Sequence, residues 1–230
     1  MTGVQTCALP ICVYHGTPYS DYSREYDDPS LWITIRAQDP ANRPVLNYGG
    51  YLQNQIDLRG STAFIKLIGL EITGSSDGIK AQDAGIHHLI IEDCYIHDVY
   101  SVGVGCQAGI KYLTVRKTEI ARSGVSSSSN GELMYLGSHD ATKPMTDSLI
   151  EYNHIYGTRF TSGSDGDGIE IKRGGARNTI RHNVIHDTRY PAIFSYGNTS
   201  ANPADANVIY GNVIYNSLYE GIQVCGNSEI

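Results

Sequence analysis

From Phe64 onward, apolar residues return on a short beat broken by glycine, asparagine and aspartate. The recurring phrase is apolar, two residues, Asn or a small residue, any residue, Ile, with a Gly-Ile-type step further on. Ile180-Arg181-His182-Asn183-Val184-Ile185 followed by Ala192-Ile193 is one copy. Residues 209–214 followed by Gly221-Ile222, and 150–155 followed by Gly168-Ile169, are two more. Anchored on their last Ile, the copies fall at Ile72, Ile96, Ile120, Ile155, Ile185 and Ile214, with steps of 24, 24, 35, 30 and 29 residues. Self-similarity at such a period is the mark of a solenoid.

Two positions before the anchor stand Leu70, Cys94, Thr118, Asn153, Asn183 and Asn212. Asparagines stacked at a tight turn hydrogen-bond one another and the backbone from coil to coil. A second column follows: Ile79, Val104, Met134, Ile169, Ile193, Ile222. Two short β-branched strands per repeat, cornered by Gly, Asn and Asp, predict an all-β parallel β-helix. The rival is a leucine-rich repeat, whose spacing Ile86, Leu89, Ile91, Cys94 and Ile96 fit. Against it, Ile outnumbers Leu, the repeat lengthens from 24 to 35 residues, and a strand follows each anchor where a helix would stand.

The coil opens at residues 32–37, after a lead-in (12–31) rich in Tyr, Asp and Ser that reads as irregular. Residues 2–11, TGVQTCALPI, resemble a translated sequencing adaptor and are set aside. Both ends are therefore expected to be truncated, with residues 32–230 forming one β-helix domain. Insertions at 123–132 (SGVSSSSNGE) and 157–167 (GTRFTSGSDGD) fall in consecutive coils, hence side by side. Long polar loops on a rigid scaffold are where such folds place function.

Parallel coils stack about 4.8 Å apart, so residues of one column are neighbours. The outward column beside the second strand is Lys80, Gly105, Tyr135, Glu170, Phe194, Gln223, and two residues on come Gln107, Gly137, Lys172 and Tyr196. Glu170 and Lys172 thus share a face flanked by Tyr135, Phe194 and Tyr196, with Arg173 following and a notch at Gly137. Aromatic platforms, an acid and two cations make a carbohydrate subsite; the bland alternative is an ion pair on a solvated strand. His139, just past Gly137, is a further candidate. Asp165, Asp167 and Glu170 supply three carboxylates within six residues, enough oxygen to hold Ca²⁺. His97-Asp98 and His186-Asp187 occupy equivalent positions about 14 Å apart. Each caps its turn, with His186, Arg189 and Tyr190 as possible groove residues. His87-His88 reads as an exposed corner.

Composition narrows the partners. A net charge of −7 argues against nucleic acid or an anionic membrane, and no apolar run is long enough to span one. Seventeen tyrosines against three phenylalanines suit sugar faces as well as ordinary strand surfaces. Cys94 and Cys106 fall on inward columns and read as small core hydrophobes.

The stretches GELMYLGSHD, GDGIEIKRGGARNTIRHNVIHDT and RYPAIFSYG resemble the right-handed parallel β-helix proteins of the pectate-lyase-like superfamily. That resemblance implies a secreted or cell-surface, bacterial-type, monomeric protein acting on a polysaccharide, with Glu170, Lys172 and Arg173 matching the cationic centre of some lyases. The Asn-Glu-Glu calcium set of those lyases is absent, and so are the paired-Asp and Gly-His motifs of polygalacturonase-like hydrolases. Three readings follow: a lyase acting by β-elimination on a uronate, with Lys172 as base if Arg173 lowers its pKa; a hydrolase using Asp167 and Glu170; or a non-catalytic glycan-binding module.

Overall fold

The computed structural model describes residues 11–14, 32–125, 130–159 and 165–229. Nearly every strand pairs in parallel with its counterparts one coil before and one coil after, forming three sheets of ten, seven and seven strands that run the length of a β-helix. The anchors Ile72, Ile96, Ile120, Ile155, Ile185 and Ile214 register directly down the second sheet. The column from Ile79 to Ile222 does the same down the third. Each coil carries three strands rather than two, because the six-residue phrase itself turns a corner. His182 adopts φ 54°, which ends the strand Thr179–Arg181 and starts Val184–His186.

Asp93, Lys117, Tyr152 and His182 hold that left-handed corner in successive coils, with φ between 51° and 54°. A non-glycine residue pays for that conformation, and the position just after it supplies the compensation. Asn183 Oδ1 accepts from the backbone N and the Nδ2 of Asn153, at 3.0 and 2.9 Å. Its own Nδ2 donates to Ile150 O and to Asn212 Oδ1. The ladder continues to Thr118, whose backbone N donates to Asn153 Oδ1 at 3.0 Å. A second ladder of Ser148, Asn178 and Asn207 guards the entrance to the first sheet.

Inside, Ile72, Ile96, Ile120, Ile155 and Ile185 are fully buried and form one continuous core. Burying each such side chain contributes about 1.5–3 kcal/mol. Coils approach so closely that a Cβ on Gly168 would stand 2.4 Å from the Ala192 carbonyl oxygen. Cys94 and Cys106 are free thiols in this core, and burial pushes them up to about 11 and about 12.

Two local expectations are corrected. Ile11–Tyr14, partly within the irregular lead-in, is a strand paired antiparallel with Ile33–Ala37. It covers the edge that the first coil would otherwise leave open. His87-His88 is no exposed corner but opens the strand His87–Glu92, and His88 is buried. Phe64, His88 and Tyr112 recur at 24 residues and share a left-handed backbone, which stacks their rings coil upon coil at 4.5 and 4.4 Å.

Candidate active site on the third sheet

The outer face of the third sheet carries the candidate chemistry. Tyr135, Glu170 and Phe194 register in adjacent coils. Lys172 lies two residues beyond Glu170, on the same face, and their ammonium and carboxylate form a buried ion pair. Lys172 Nζ stands 4.3 Å from the centre of the Tyr135 ring and 5.4 Å from that of Tyr196. Phe194 and Tyr196 stack at 4.1 Å, making an aromatic wall on one side of the pair. The notch expected at Gly137 does not open: the residue is buried, and a Cβ there would already lie 3.3 Å from both Lys172 Cβ and the Met145 backbone N.

Tyr135, Glu170, Lys172, Phe194 and Tyr196 line a cavity of about 400 Å³, which Asp165, Asp167, His139 and Tyr190 also border. Two of its lining residues, Asp167 and Glu170, each bring a carboxylate oxygen within 4.8 Å of one another and of an oxygen of the buried Glu132. All three residues are 3 % exposed or less, and each has one carboxylate oxygen with no hydrogen-bond partner. Three negative charges this close and this dry are not all sustained. Burial foremost, then the charge of Glu170, pushes Glu132 up to about 8. Burial, Glu170 and Glu132 push Asp167 up to about 9. Both therefore hold protons at neutral pH. Glu170 is also raised by burial, with the Lys172 ammonium pulling back.

Burial would lower Lys172, yet the Glu170 carboxylate more than offsets it and the ammonium is held above its usual range. Arg173 does not depress it: its guanidinium lies 5.7 Å from the Tyr196 ring centre, and the residue is exposed, beyond the end of the strand Ile169–Ile171. Lys172 is a fixed cation here rather than a ready base. Burial raises the Tyr135 and Tyr196 phenols, so both keep their protons.

The remaining candidates scatter. His186 belongs to the second sheet, around the corner from the cavity, stacked between Tyr156 and Tyr215 at 4.9 and 4.5 Å. Its Nδ1 meets Asp187 at 2.7 Å and its Nε2 meets His154 Nε2 at 2.8 Å. His97 and Asp98 pair in the same way, 2.7 Å apart. Arg189 lines a neighbouring pocket, while Tyr190, its successor in the chain, faces the cavity. Asp165 sits on the rim and does not join the carboxylate group, which takes Glu132 instead. Glu132 was not foreseen, although the same column ruler finds it: it stands two before Met134 as Asp167 stands two before Ile169, and those positions are in register.

Among the described residues, no helix is long and apolar enough to cross a membrane. A comparison with curated proteins finds no match. Among solved structures, an alginate lyase from Paenibacillus sp. str. FPU-7 superimposes with a TM-score of 0.55 at 20% identity, covering 85% of each chain. The pectate lyase Pel9A covers 86% of this chain and 68% of its own at TM-score 0.40 and 11% identity. The family model described as right handed beta helix region matches residues 54–230, and the chain belongs to that family.

Proposed function

We propose that this cavity binds a uronic-acid polysaccharide and cleaves it by β-elimination, and that the protein works as a secreted or cell-surface lyase. The observation that carries the reading is the buried Lys172–Glu170 pair set between Tyr135 and Tyr196. An alginate lyase that shares the fold supports an acidic glycan as substrate.

Elimination removes the C5 proton beside the uronate carboxylate, builds charge on that carboxylate, and expels the C4 oxygen. Lys172 supplies fixed positive charge where that charge grows. Glu170, raised by burial, is a stronger base than an exposed carboxylate and stands beside Lys172 to take the C5 proton. Tyr135 or Tyr196, both protonated, donates to the departing oxygen, with His139 at the rim as a further donor. The C4–O bond breaks, a C4=C5 double bond forms, and no water is consumed.

The donor set also fits a hard divalent cation such as Ca²⁺. Glu132 and Asp167 would hold it through oxygens that otherwise lack partners, with Glu170 beside them. When bound, such an ion neutralises the substrate carboxylate and so makes the C5 proton more acidic.

A hydrolase is the second reading, favoured by one observation: Asp167 carries a proton at neutral pH beside Glu170, as an acid and its partner carboxylate would. A panel of polyuronates and neutral glycans, with wild type, K172M and E170Q, tests the proposal. Both variants are expected to lose at least 100-fold in kcat on one polyuronate. Unchanged turnover in K172M overturns it, and binding without turnover on every glycan leaves only a binding module.

A further inference from the structure

Arg189 stands apart from its neighbours. Arg122, Arg177 and Arg181 each pair with a carboxylate on an adjacent coil. Among the described residues Arg189 has no such partner; its side chain is half-buried, with the Nε enclosed and without a hydrogen bond. Leaving a buried charged donor unmet costs about 1–3 kcal/mol, so a fold tolerates it where a ligand supplies the acceptor.

Its surroundings say which acceptor. Arg189 lines a pocket of about 330 Å³ together with Thr158, Arg159, Thr188 and Asn216. Arg159 adds a second guanidinium, anchored by Asp98 at 2.7 Å. Asp187 also borders the pocket, turned to His186 and held ionised by that contact. Asp98 is shared between Arg159 and Arg122. Arg122, Arg159 and Arg189 thus face two carboxylates, Asp98 and Asp187, which leaves room for a single negative charge and disfavours a dianion. Gly166 packs against Arg189 Cβ, where a side chain would come within 3.1 Å, so Arg189 is seated against the chain that leads to Asp167.

The pocket adjoins the cavity through one dipeptide. The Arg189 backbone N donates to Thr158 Oγ1 at 2.8 Å and the Tyr190 N to Gly166 O at 3.2 Å, which fixes Arg189 toward the pocket and Tyr190 toward the cavity. We propose that the Arg189 pocket binds a monoanionic oxyanion, a carboxylate or a sulfate ester, borne on the glycan chain beyond the unit held in the cavity. It makes the protein select chains that are acidic at more than one unit. The inference rests on the cavity being a glycan site, but not on the reaction carried out there.

Binding to the full chain separates the two. Calorimetric titration with oligogalacturonate, oligoalginate, dextran sulfate and uncharged dextran is run on wild type, R189Q and R189K. Loss of one charge-assisted pair is expected to raise Kd for an acidic oligomer about tenfold in R189Q. R189K recovers part of it, uncharged dextran is insensitive to either change, and the thermal midpoint does not fall because no ion pair is lost. Sensitivity confined to the uronates assigns the carboxylate, and sensitivity confined to dextran sulfate assigns the sulfate ester. An R189Q affinity within twofold of wild type for every acidic oligomer overturns the pocket. K172M carries the same R189Q effect if the pocket is right, even should no glycan be cleaved; cleavage of a polyuronate with R189Q indistinguishable in Kd sinks the pocket and spares the elimination.

Discussion

Replacing Asp167 by Asn should flatten the dependence of stability on pH. In the unfolded chain this carboxyl titrates near 3.8, whereas in the fold burial and the charges of Glu170 and Glu132 push it up to about 9. A carboxyl raised on folding is protonated in the fold while ionised in the unfolded chain. Its contribution is thus fully present below the unfolded value and is lost as pH rises toward the folded one. Each pH unit within that window removes about 1.4 kcal/mol per proton retained by the fold alone. Between pH 5.5 and 7.5 Asp167 therefore withdraws about 3 kcal/mol. For a chain of 230 residues that is a fall in Tm of about 6–12 °C. Thermal melts of wild type and D167N at both pH values, in a chelator so that no cation holds the group, give the difference directly. His88, lowered to about 4 by burial and then by His87, titrates in the opposite sense, and burial lowers His87 and His154 as well. These contributions cancel between the two proteins. Parallel pH profiles for wild type and D167N would refute the claim that the carboxylate group is dry and mutually repelling.

Two further outcomes are expected. Asn183→Ala strands the Asn153 amides and the Ile150 carbonyl that its side chain satisfies, and should cost about 3 kcal/mol, read as a lower Tm by about 6–12 °C. Calcium added to the wild type at pH 7 should release about two protons per ion, since Glu132 and Asp167 both titrate above that pH, and a pH-stat titration counts them.

The coil was legible because a parallel solenoid turns sequence period into spatial column: once Ile72 through Ile214 are aligned, every other residue has an address. That address placed Tyr135, Glu170, Phe194, Lys172 and Tyr196 on one face, where the structure has them. Corners were harder. The backbone at His182 and Asp187 turns through left-handed φ values, so a residue a few positions from the third sheet, such as His186, belongs to a different face. The third strand per coil hid for the same reason, since the phrase reads as one strand until its left-handed residue is seen. Glu132 was missed because it ends a serine-rich insertion and takes its meaning only from Asp167 in the next coil. Lys172 was read as a base from its neighbour in sequence, Arg173, whereas just past the strand the chain buries Lys172 against Glu170 and leaves Arg173 exposed.

The central claim is that bond cleavage here is an elimination. Its most direct test is the ratio of unsaturated ends, read by ultraviolet absorbance, to new reducing ends as the full chain degrades a polyuronate. The account predicts one double bond for each reducing end, with both signals lost together in K172M. Reducing ends that accumulate without absorbance would contradict it and return Asp167 and Glu170 to the roles of a hydrolase pair.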